Sequence, residues 1–180
     1  CVGCGEVCLG APGTGRRVFL CAGYGITPVV SLMETQLTQD ASRAVRLVYA
    51  SRNQHEIIFR DRLASLAQRH ANVKIVHVLS QPAPDWTGER GRLDGERAAA
   101  LLGTREADYY LCGPLPLMDD VDKSLRARGV SAERIRRERF LASPTASSAK
   151  PTAVRAIILQ RSGHPAQHPL GDTLLCAGLC

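Results

Sequence analysis

The segment Cys21–Pro28, CAGYGITP, combines two glycines with the start of a helical pattern. Gly23 and Gly25 permit a tight turn, positive φ and close approach of a ligand to the backbone. A helix beginning near Pro28 would present free N–H groups and a partial positive charge, which suit a pyrophosphate. Thr27 would cap this helix or donate its hydroxyl to a phosphate. Glycine turns of this kind also occur without ligands, so spacing alone leaves both interpretations open.

Two polar residues, Ser51 and Arg52, directly follow a second apolar run, VRLVYA. A guanidinium at such a position forms a charge-assisted fork with a phosphate or stacks on an adenine ring. The alternative is an arginine in a solvated loop, and the residue types alone do not decide between the two.

A third and a fourth candidate lie where two later apolar runs end. Cys112 closes the run YYLC, and Gly113-Pro114 then turns the chain into a helical pattern. A small polarisable thiol at this point could approach a flat ring, although a buried structural cysteine is the commoner case. The segment ERF, from Glu138 to Phe140, offers a carboxylate for proton supply and an aromatic ring to cover a flavin.

Compact apolar runs alternate with helical patterns through the middle of the chain. The runs predict five strands, which start at Arg16, Val45, Val73, Tyr109 and Ile135. Helical spacing predicts helices over 26–37, 55–70, 93–103 and 115–129, the last two stopped by Gly103 and Gly129. This order predicts an α/β fold with a doubly wound, five-stranded parallel sheet. Because such sheets bind ligands beyond the carboxyl ends of their strands, the candidate residues fall on one edge.

Together these stretches resemble the nucleotide-binding half of the ferredoxin–NADP reductase superfamily. The ordered set is a GxGITP turn, YxSR, GR(L), YxCGP with a following methionine, and ExF, over roughly residues 16–140. The GR(L) motif is Gly91-Arg92-Leu93, and the methionine is Met118. Five motifs in one order make this resemblance specific.

The resemblance implies a role for each candidate. Six consecutive residues would hold the pyrophosphate and the nicotinamide side: Gly23, Tyr24, Gly25, Ile26, Thr27 and Pro28. Ser51 and Arg52 would face the adenosine end. Cys112 would lie near the nicotinamide carbon that gives the hydride, with the cofactor also touched by Gly113, Pro114 and Met118. Glu138 and Phe140 would lie by the flavin, which makes Cys112 and Glu138 the candidate catalytic residues.

The two ends of the chain predict parts of neighbouring modules. Residues 1–15 resemble the exit of a flavin-binding barrel, and 16–141 form the NAD(P)-binding domain. Residues 142–152 have the composition of a linker. Residues 153–180 resemble the first hairpin and helix of a plant-type [2Fe–2S] ferredoxin, an incomplete β-grasp whose cluster ligands would lie beyond the last residue. Since the chain opens without a methionine, we interpret it as a piece of a longer protein.

Composition excludes several other classes of protein. The 180 residues carry a net charge of +6, but the arginines are scattered and aromatic residues make up only 4%, which disfavours nucleic-acid binding. A mild positive balance suits anionic cofactors and acidic partner surfaces. No apolar stretch approaches the length of roughly 20 residues that spans a bilayer, so we expect no membrane span.

The cysteines and histidines predict neither a disulfide framework nor a metal site. Cys21 and Cys112 lie in apolar runs, which favours a reducing cytoplasm. The spacing of Cys1, Cys4 and Cys8 suggests metal ligands, but no fourth ligand is nearby. His164 and His168 are four apart, and prolines after both oppose the helix that would align them.

The most complete interpretation is a three-module electron-transfer reductase. Hydride would pass from NAD(P)H to FAD or FMN, and single electrons would then pass to a [2Fe–2S] centre and an oxygenase-type acceptor. NADH is slightly favoured because Glu56 would repel a 2′-phosphate, unless Arg60 neutralises it. The alternatives are a two-module reductase that serves a separate ferredoxin or flavodoxin, and a non-catalytic module that senses NAD(P)H.

Overall fold

A computed structural model describes residues 15–103 and 106–138, together with the backbone of two strands at 155–158 and 165–168. The chain divides into two compact units, Cys1–Phe140 and Leu141–Cys180. The first unit contains the predicted α/β domain, and the second contains the two later strands. In the described part of the chain, no helix has the length and apolar character needed to cross a membrane.

A parallel sheet forms the middle layer of the first unit, and all five predicted strands are present in it. Its six strands are β1 (Arg16–Ala22), β2 (Val45–Ser51), β3 (Val73–Leu79), β4 (Glu89–Arg90), β5 (Ala107–Cys112) and β6 (Ile135–Glu138). They lie in the order β4-β3-β2-β1-β5-β6, and every pairing is parallel.

The predicted number of strands was wrong by one, because β4 is a sixth strand. It has only two residues, which pair with Val78 and Leu79 of β3. The Gly91 N–H donates to the Leu79 carbonyl at 2.7 Å and completes this pairing. A two-residue strand has no apolar run of its own, so tertiary pairing alone defines it.

Four α-helices cover the two faces of the sheet: α1 (Ile26–Gln39), α2 (Arg60–Arg69), α3 (Gly95–Leu102) and α4 (Leu115–Ala127). Alternate strand residues supply two separate cores. Phe19 and Leu47 pack with α1 and α2 on one face, whereas Val18, Leu20 and Tyr109 pack with α3 and α4 on the other. The doubly wound arrangement is therefore confirmed.

The helix ends follow local signals in most cases. The Asp94 side chain accepts a hydrogen bond from the Arg97 N–H at 2.8 Å and caps α3. The predicted stops at Gly103 and Gly129 are confirmed, with φ of 67° and 87°. The second predicted helix, 55–70, was wrong in its start, because α2 begins at Arg60.

In the second unit, β7 (Arg155–Ile158) and β8 (Pro165–His168) form an antiparallel pair. This pair matches the predicted hairpin, although its second strand precedes Leu170, around which it was expected. Pro165 is the first residue of its strand, a position where a missing N–H is tolerated. The helix predicted after the hairpin lies outside the described residues, and the ferredoxin-like nature of this unit stays a prediction.

Candidate functional site

The strand order reverses at β1, which lies between β2 and β5. From β1 the chain proceeds through β2 to β4 in one direction, and β5 and β6 lie in the other. A ligand crevice is expected outside the carboxyl ends of the strands at such a point. There the glycine turn after β1 approaches the end of β5, and a Cβ on Gly25 would lie 2.3 Å from the Cys112 carbonyl oxygen. Only glycine fits at this position.

A groove of about 690 Å³ opens at this carboxyl edge. Its lining includes three of the predicted ligand residues, Ser51, Arg52 and Pro114, and the whole GR(L) motif, Gly91-Arg92-Leu93. Two carboxylates that the sequence patterns did not single out, Asp94 and Asp120, also line it. Because the lining comes from the ends of five strands, β1 to β5, the fold gathers residues as distant in sequence as Ala22 and Asp120.

The predicted glycine turn is a 3₁₀ turn at Gly23–Gly25 that leads directly into α1. Gly23 has φ of 55°, and no atom lies within 4 Å of the Cβ that a larger residue would carry. Its requirement for glycine is therefore one of backbone conformation. Tyr24 is 80% exposed beside it.

The first turn of α1 has neither a side-chain cap nor an acidic residue. Thr27 does not cap the helix, because its hydroxyl donates to the Tyr24 carbonyl at 3.0 Å. Ile26 is buried and Pro28 is half-buried. The partial positive charge of this helix end is thus not offset by a carboxylate of its own first turn, which suits an anionic ligand.

Arg52 is held by a residue that the sequence patterns did not reveal. Its Nε donates to the Gln81 side-chain carbonyl at 3.0 Å. The backbones of the two loops are also joined, since the Ser80 N–H donates to the Ser51 carbonyl at 3.1 Å and the Gln81 N–H donates to the Arg52 carbonyl at 2.7 Å. Arg52 is the first residue after β2 and Gln81 is the second after β3, so a position just beyond the end of a strand was the available signal for Gln81.

Asn53 organises the rest of the loop after β2. Its side-chain oxygen accepts from the N–H groups of His55 and Glu56 at 3.0 and 3.1 Å, and its amide donates to the Glu56 carboxylate at 2.8 Å. Among the described residues, Glu56 is therefore paired with Asn53 and not with Arg60. Asn53 also explains the late start of α2, because it caps a separate 3₁₀ turn at Gln54–Glu56.

Cys112 ends β5 in register with Cys21 of β1 on one side and Glu138 of β6 on the other. Burial and the neighbouring Glu138 carboxylate raise the pKa of the Cys112 thiol to about 12. Burial also raises the pKa of Glu138. Burial thus disfavours the charged form of each group, and Cys112 is a neutral thiol near pH 7.

Of the predicted ligand residues, only Ser51, Arg52 and Pro114 line the groove; the other described ones, 23–28, Cys112, Gly113 and Met118, do not. Met118 is buried in the core beneath α4 with Val121 and Leu125. Phe140 lies outside the described residues. Gly113 packs closely against Ala22, since a Cβ there would lie 3.3 Å from the Ala22 Cβ. The roles of all three in binding a cofactor stay predictions.

The reversal of strand order, the glycine turn and the groove at the carboxyl edge define a dinucleotide-binding domain of the doubly wound α/β class. The chain belongs to the oxidoreductase NAD-binding domain family, whose model matches residues 19–123. This match confirms the resemblance to the ferredoxin–NADP reductase superfamily for its nucleotide-binding half.

Three similar proteins illustrate the range of the family. The chain is 33% identical to a component of the 1,2-phenylacetyl-CoA epoxidase of Escherichia coli, over 70% of this chain and 37% of that protein. It is 34% identical to the ferredoxin reductase component of 3-ketosteroid-9-alpha-monooxygenase of Rhodococcus rhodochrous, over 66% of this chain and 32% of that protein. The solved structure of the FAD/NAD-binding domain of nitric oxide dioxygenase from Vibrio cholerae matches with a TM-score of 0.61 and 26% identity. The match covers 71% of this chain and 52% of that structure. The chain thus spans about a third of the length of these curated relatives.

Proposed function

We propose that this chain is the NAD(P)H-binding part of a flavin-dependent electron-transfer oxidoreductase. The observation that carries the proposal is the groove at the reversal of strand order, which is lined by Arg52, Arg92 and Ala22. Ala22 directly precedes the glycine turn that leads into the uncapped start of α1. When bound, NAD(P)H supplies a hydride for a flavin, FAD or FMN, held by another domain of the whole protein.

The residues of the chain would bind and orient the nucleotide. The turn at Gly23–Gly25 and the first N–H groups of α1 suit the pyrophosphate, since a backbone without a Cβ permits close approach. Ser51 and Arg52 suit the adenosine end, with Arg52 held in place by Gln81. The Asn53-held Glu56 carboxylate suits a free 2′-hydroxyl and disfavours a 2′-phosphate, which supports a slight preference for NADH.

Cys112 and Glu138 lie side by side at the carboxyl ends of β5 and β6. As a neutral thiol, Cys112 would make a small, polarisable contact with the nicotinamide ring rather than act as a nucleophile. Glu138 has a raised pKa, so it retains a proton to higher pH than an exposed glutamate and suits proton supply near the flavin.

We further propose that the electrons continue to a [2Fe–2S] centre and an oxygenase-type acceptor. The name of the Rhodococcus relative, a ferredoxin reductase component of a monooxygenase, supports this direction. In the whole protein, residues 1–15 would end the flavin domain, 16–141 would bind the nucleotide, 142–152 would link, and 153–180 would begin the ferredoxin domain. The two buried free cysteines among the described residues, Cys21 and Cys112, fit a reducing cytoplasm.

Calorimetric titration of the 180-residue chain with NADH tests the nucleotide site. We expect weak, saturable binding and a roughly tenfold loss of affinity, about 1.4 kcal/mol, in Arg52→Ala. Arg69→Ala is the matched control, because Arg69 is exposed at the end of α2 and donates to the Ser65 carbonyl of its own helix. With added FAD, the chain should show no diaphorase turnover. Absence of saturable binding by NADH and NADPH would refute the proposal.

A further inference from the structure

A single side-chain oxygen joins the two loops that border the groove. The Tyr49 hydroxyl donates to the Gly23 carbonyl at 3.2 Å, and it accepts a hydrogen bond from the Ile58 N–H at 3.2 Å. Gly23 belongs to the turn after β1, and Ile58 lies near the end of the loop 52–59 that follows β2. Within the described residues, this hydroxyl is the side-chain group that hydrogen-bonds to both segments.

The ring of Tyr49 has a structural role of its own, which a phenylalanine would also fill. Tyr49 is completely buried in the core beneath α1 and α2, and its ring lies 5.8 Å from that of His77. The hydroxyl adds nothing to this packing. What it adds is a donor and an acceptor directed at two backbone groups that would otherwise lack this partner.

The two linked segments carry different parts of the proposed nucleotide site. The glycine turn and α1 suit the pyrophosphate, whereas the loop after β2 carries Arg52 and Glu56 at the adenosine end. We propose that the Tyr49 hydroxyl is a positioning group that fixes the distance between these two half-sites. The inference rests on the proposed function and deepens it, because it states how the halves of one dinucleotide are bound together.

A dinucleotide gains affinity over its two halves when both half-sites are held in the geometry that one molecule can span. Loosening one loop against the other leaves each half-site able to bind its own fragment. The loss of affinity is therefore expected for the whole dinucleotide, which must occupy both half-sites at once. Removing the Tyr49 hydroxyl should therefore lower the affinity for the whole dinucleotide and not the affinity for its fragments. A general loss of stability would not produce this selective change.

The test compares Tyr49→Phe with the wild-type chain in titrations with NADH, AMP and reduced nicotinamide mononucleotide. In Tyr49→Phe we expect about a tenfold loss of affinity for NADH and less than a twofold change in affinity for each fragment. Tyr110→Phe is the matched control: Tyr110 is also buried, and its hydroxyl accepts from Arg17 at 2.5 Å, away from the groove. This control should lower the melting temperature without changing NADH affinity.

Each other outcome has a definite meaning. Unchanged NADH affinity in Tyr49→Phe, or equal losses for all three ligands, overturns the positioning role while the proposed function stands. A wild-type chain that binds no nucleotide overturns both.

A second measurement needs no variant and applies even if Tyr49→Phe fails to fold. In the wild-type chain, saturating reduced nicotinamide mononucleotide should slow amide hydrogen exchange at Ile58, in the opposite loop, at least threefold. The reason is that the fragment orders the glycine turn, and the Tyr49 hydroxyl passes this restraint to the Ile58 N–H. An unchanged exchange rate at Ile58 would contradict the link.

Discussion

The two edges of the parallel sheet both carry positive charge, but they differ in what surrounds it. At the carboxyl edge, Arg52 and Arg92 line a groove of about 690 Å³ together with Ala22, which directly precedes the glycine turn leading into α1. At the amino edge, a cavity of about 180 Å³ is lined by Arg16, Arg46 and Lys74, with no carboxylate among its described lining residues. Charge alone would make the amino edge an equally good anion site.

The difference lies in the helix ends. Arg46 donates to the Leu101 carbonyl at 2.8 Å, in the last turn of α3, so its charge meets the partial negative charge of a helix C-terminus. The carboxyl edge presents the opposite pole, where α1 offers N–H groups and no acidic residue in its first turn. Arg46 thus stabilises the fold at the amino edge, whereas Arg52 and Arg92 line the groove that we propose binds the nucleotide.

The largest expected effect comes from Gly25→Ala at the carboxyl edge. The added Cβ would lie 2.3 Å from the Cys112 carbonyl oxygen, and neither backbone can move freely. We expect the free energy of unfolding to fall by about 3 kcal/mol, measured by urea denaturation. Gly103→Ala at the amino edge is the control. Gly103 has φ of 67°, so Gly103→Ala should lower the free energy of unfolding by about 1 kcal/mol. Equal losses of stability in the two variants would contradict the expected difference between the two edges.

The second effect concerns pH and the buried thiol at the carboxyl edge. Cys112 has a pKa raised from 9.0 to about 12, so the folded state holds a proton that the unfolded state releases. This contribution to stability is fully present below about pH 9 and is lost as pH rises towards 12. We expect the free energy of unfolding to fall by about 1 kcal/mol per pH unit from this thiol in that window. Cys112→Ala should flatten the slope, although Cys21, whose pKa burial also raises, keeps its own share.

A smaller effect is expected from Arg46→Ala at the amino edge. The variant loses a hydrogen bond to the end of α3, which should lower the free energy of unfolding by about 1 kcal/mol. Because the residue is far from the groove along the strand, its affinity for NADH should equal that of the wild type. A loss of affinity comparable to that of Arg52→Ala would show that the two edges are not functionally distinct.

The smallest effect is expected from Glu56→Gln, which sharpens the description of the adenosine end. The wild-type chain should bind NADH slightly more tightly than NADPH. Removing the carboxylate charge should raise the affinity for NADPH relative to that for NADH severalfold, which would reduce or reverse the preference. Paired titrations with both nucleotides measure it. A tenfold preference of the wild type for NADPH, about 1.4 kcal/mol, would instead make Arg52 the dominant determinant.

The alternation of apolar runs was sufficient to predict the main strands, because each run pairs along its whole length with a neighbour. It failed at β4, whose two residues, Glu89 and Arg90, are a strand only through their pairing with β3. It also failed at the start of α2, where Asn53 caps a separate turn within an otherwise apolar helical pattern. Both failures come from contacts that composition does not encode.

The site was predictable where residues directly follow a strand and less so where residues act across loops. Ser51, Arg52 and Pro114 were found by their position and line the groove. Gln81 was missed because its contact with Arg52 spans 29 positions. Tyr49 was noted only as the first residue of the YxSR motif and was given no role of its own. A tyrosine within an apolar run is indistinguishable from an ordinary core residue, and only its hydroxyl contacts reveal a second role.

The contact between Gly25 and the backbone of Cys112 has a consequence for how the domain opens. Where two backbones touch without intervening side chains, β1 and β5 cannot separate by a small rearrangement. We therefore expect the centre of the site to open only with global unfolding, and the loops at 52–59 and 80–88 to open first. Limited proteolysis of the native chain should cut within those loops and leave the glycine turn intact. A nucleotide would then enter by displacing the loops at 52–59 and 80–88, while the glycine turn and the end of β5 keep their positions.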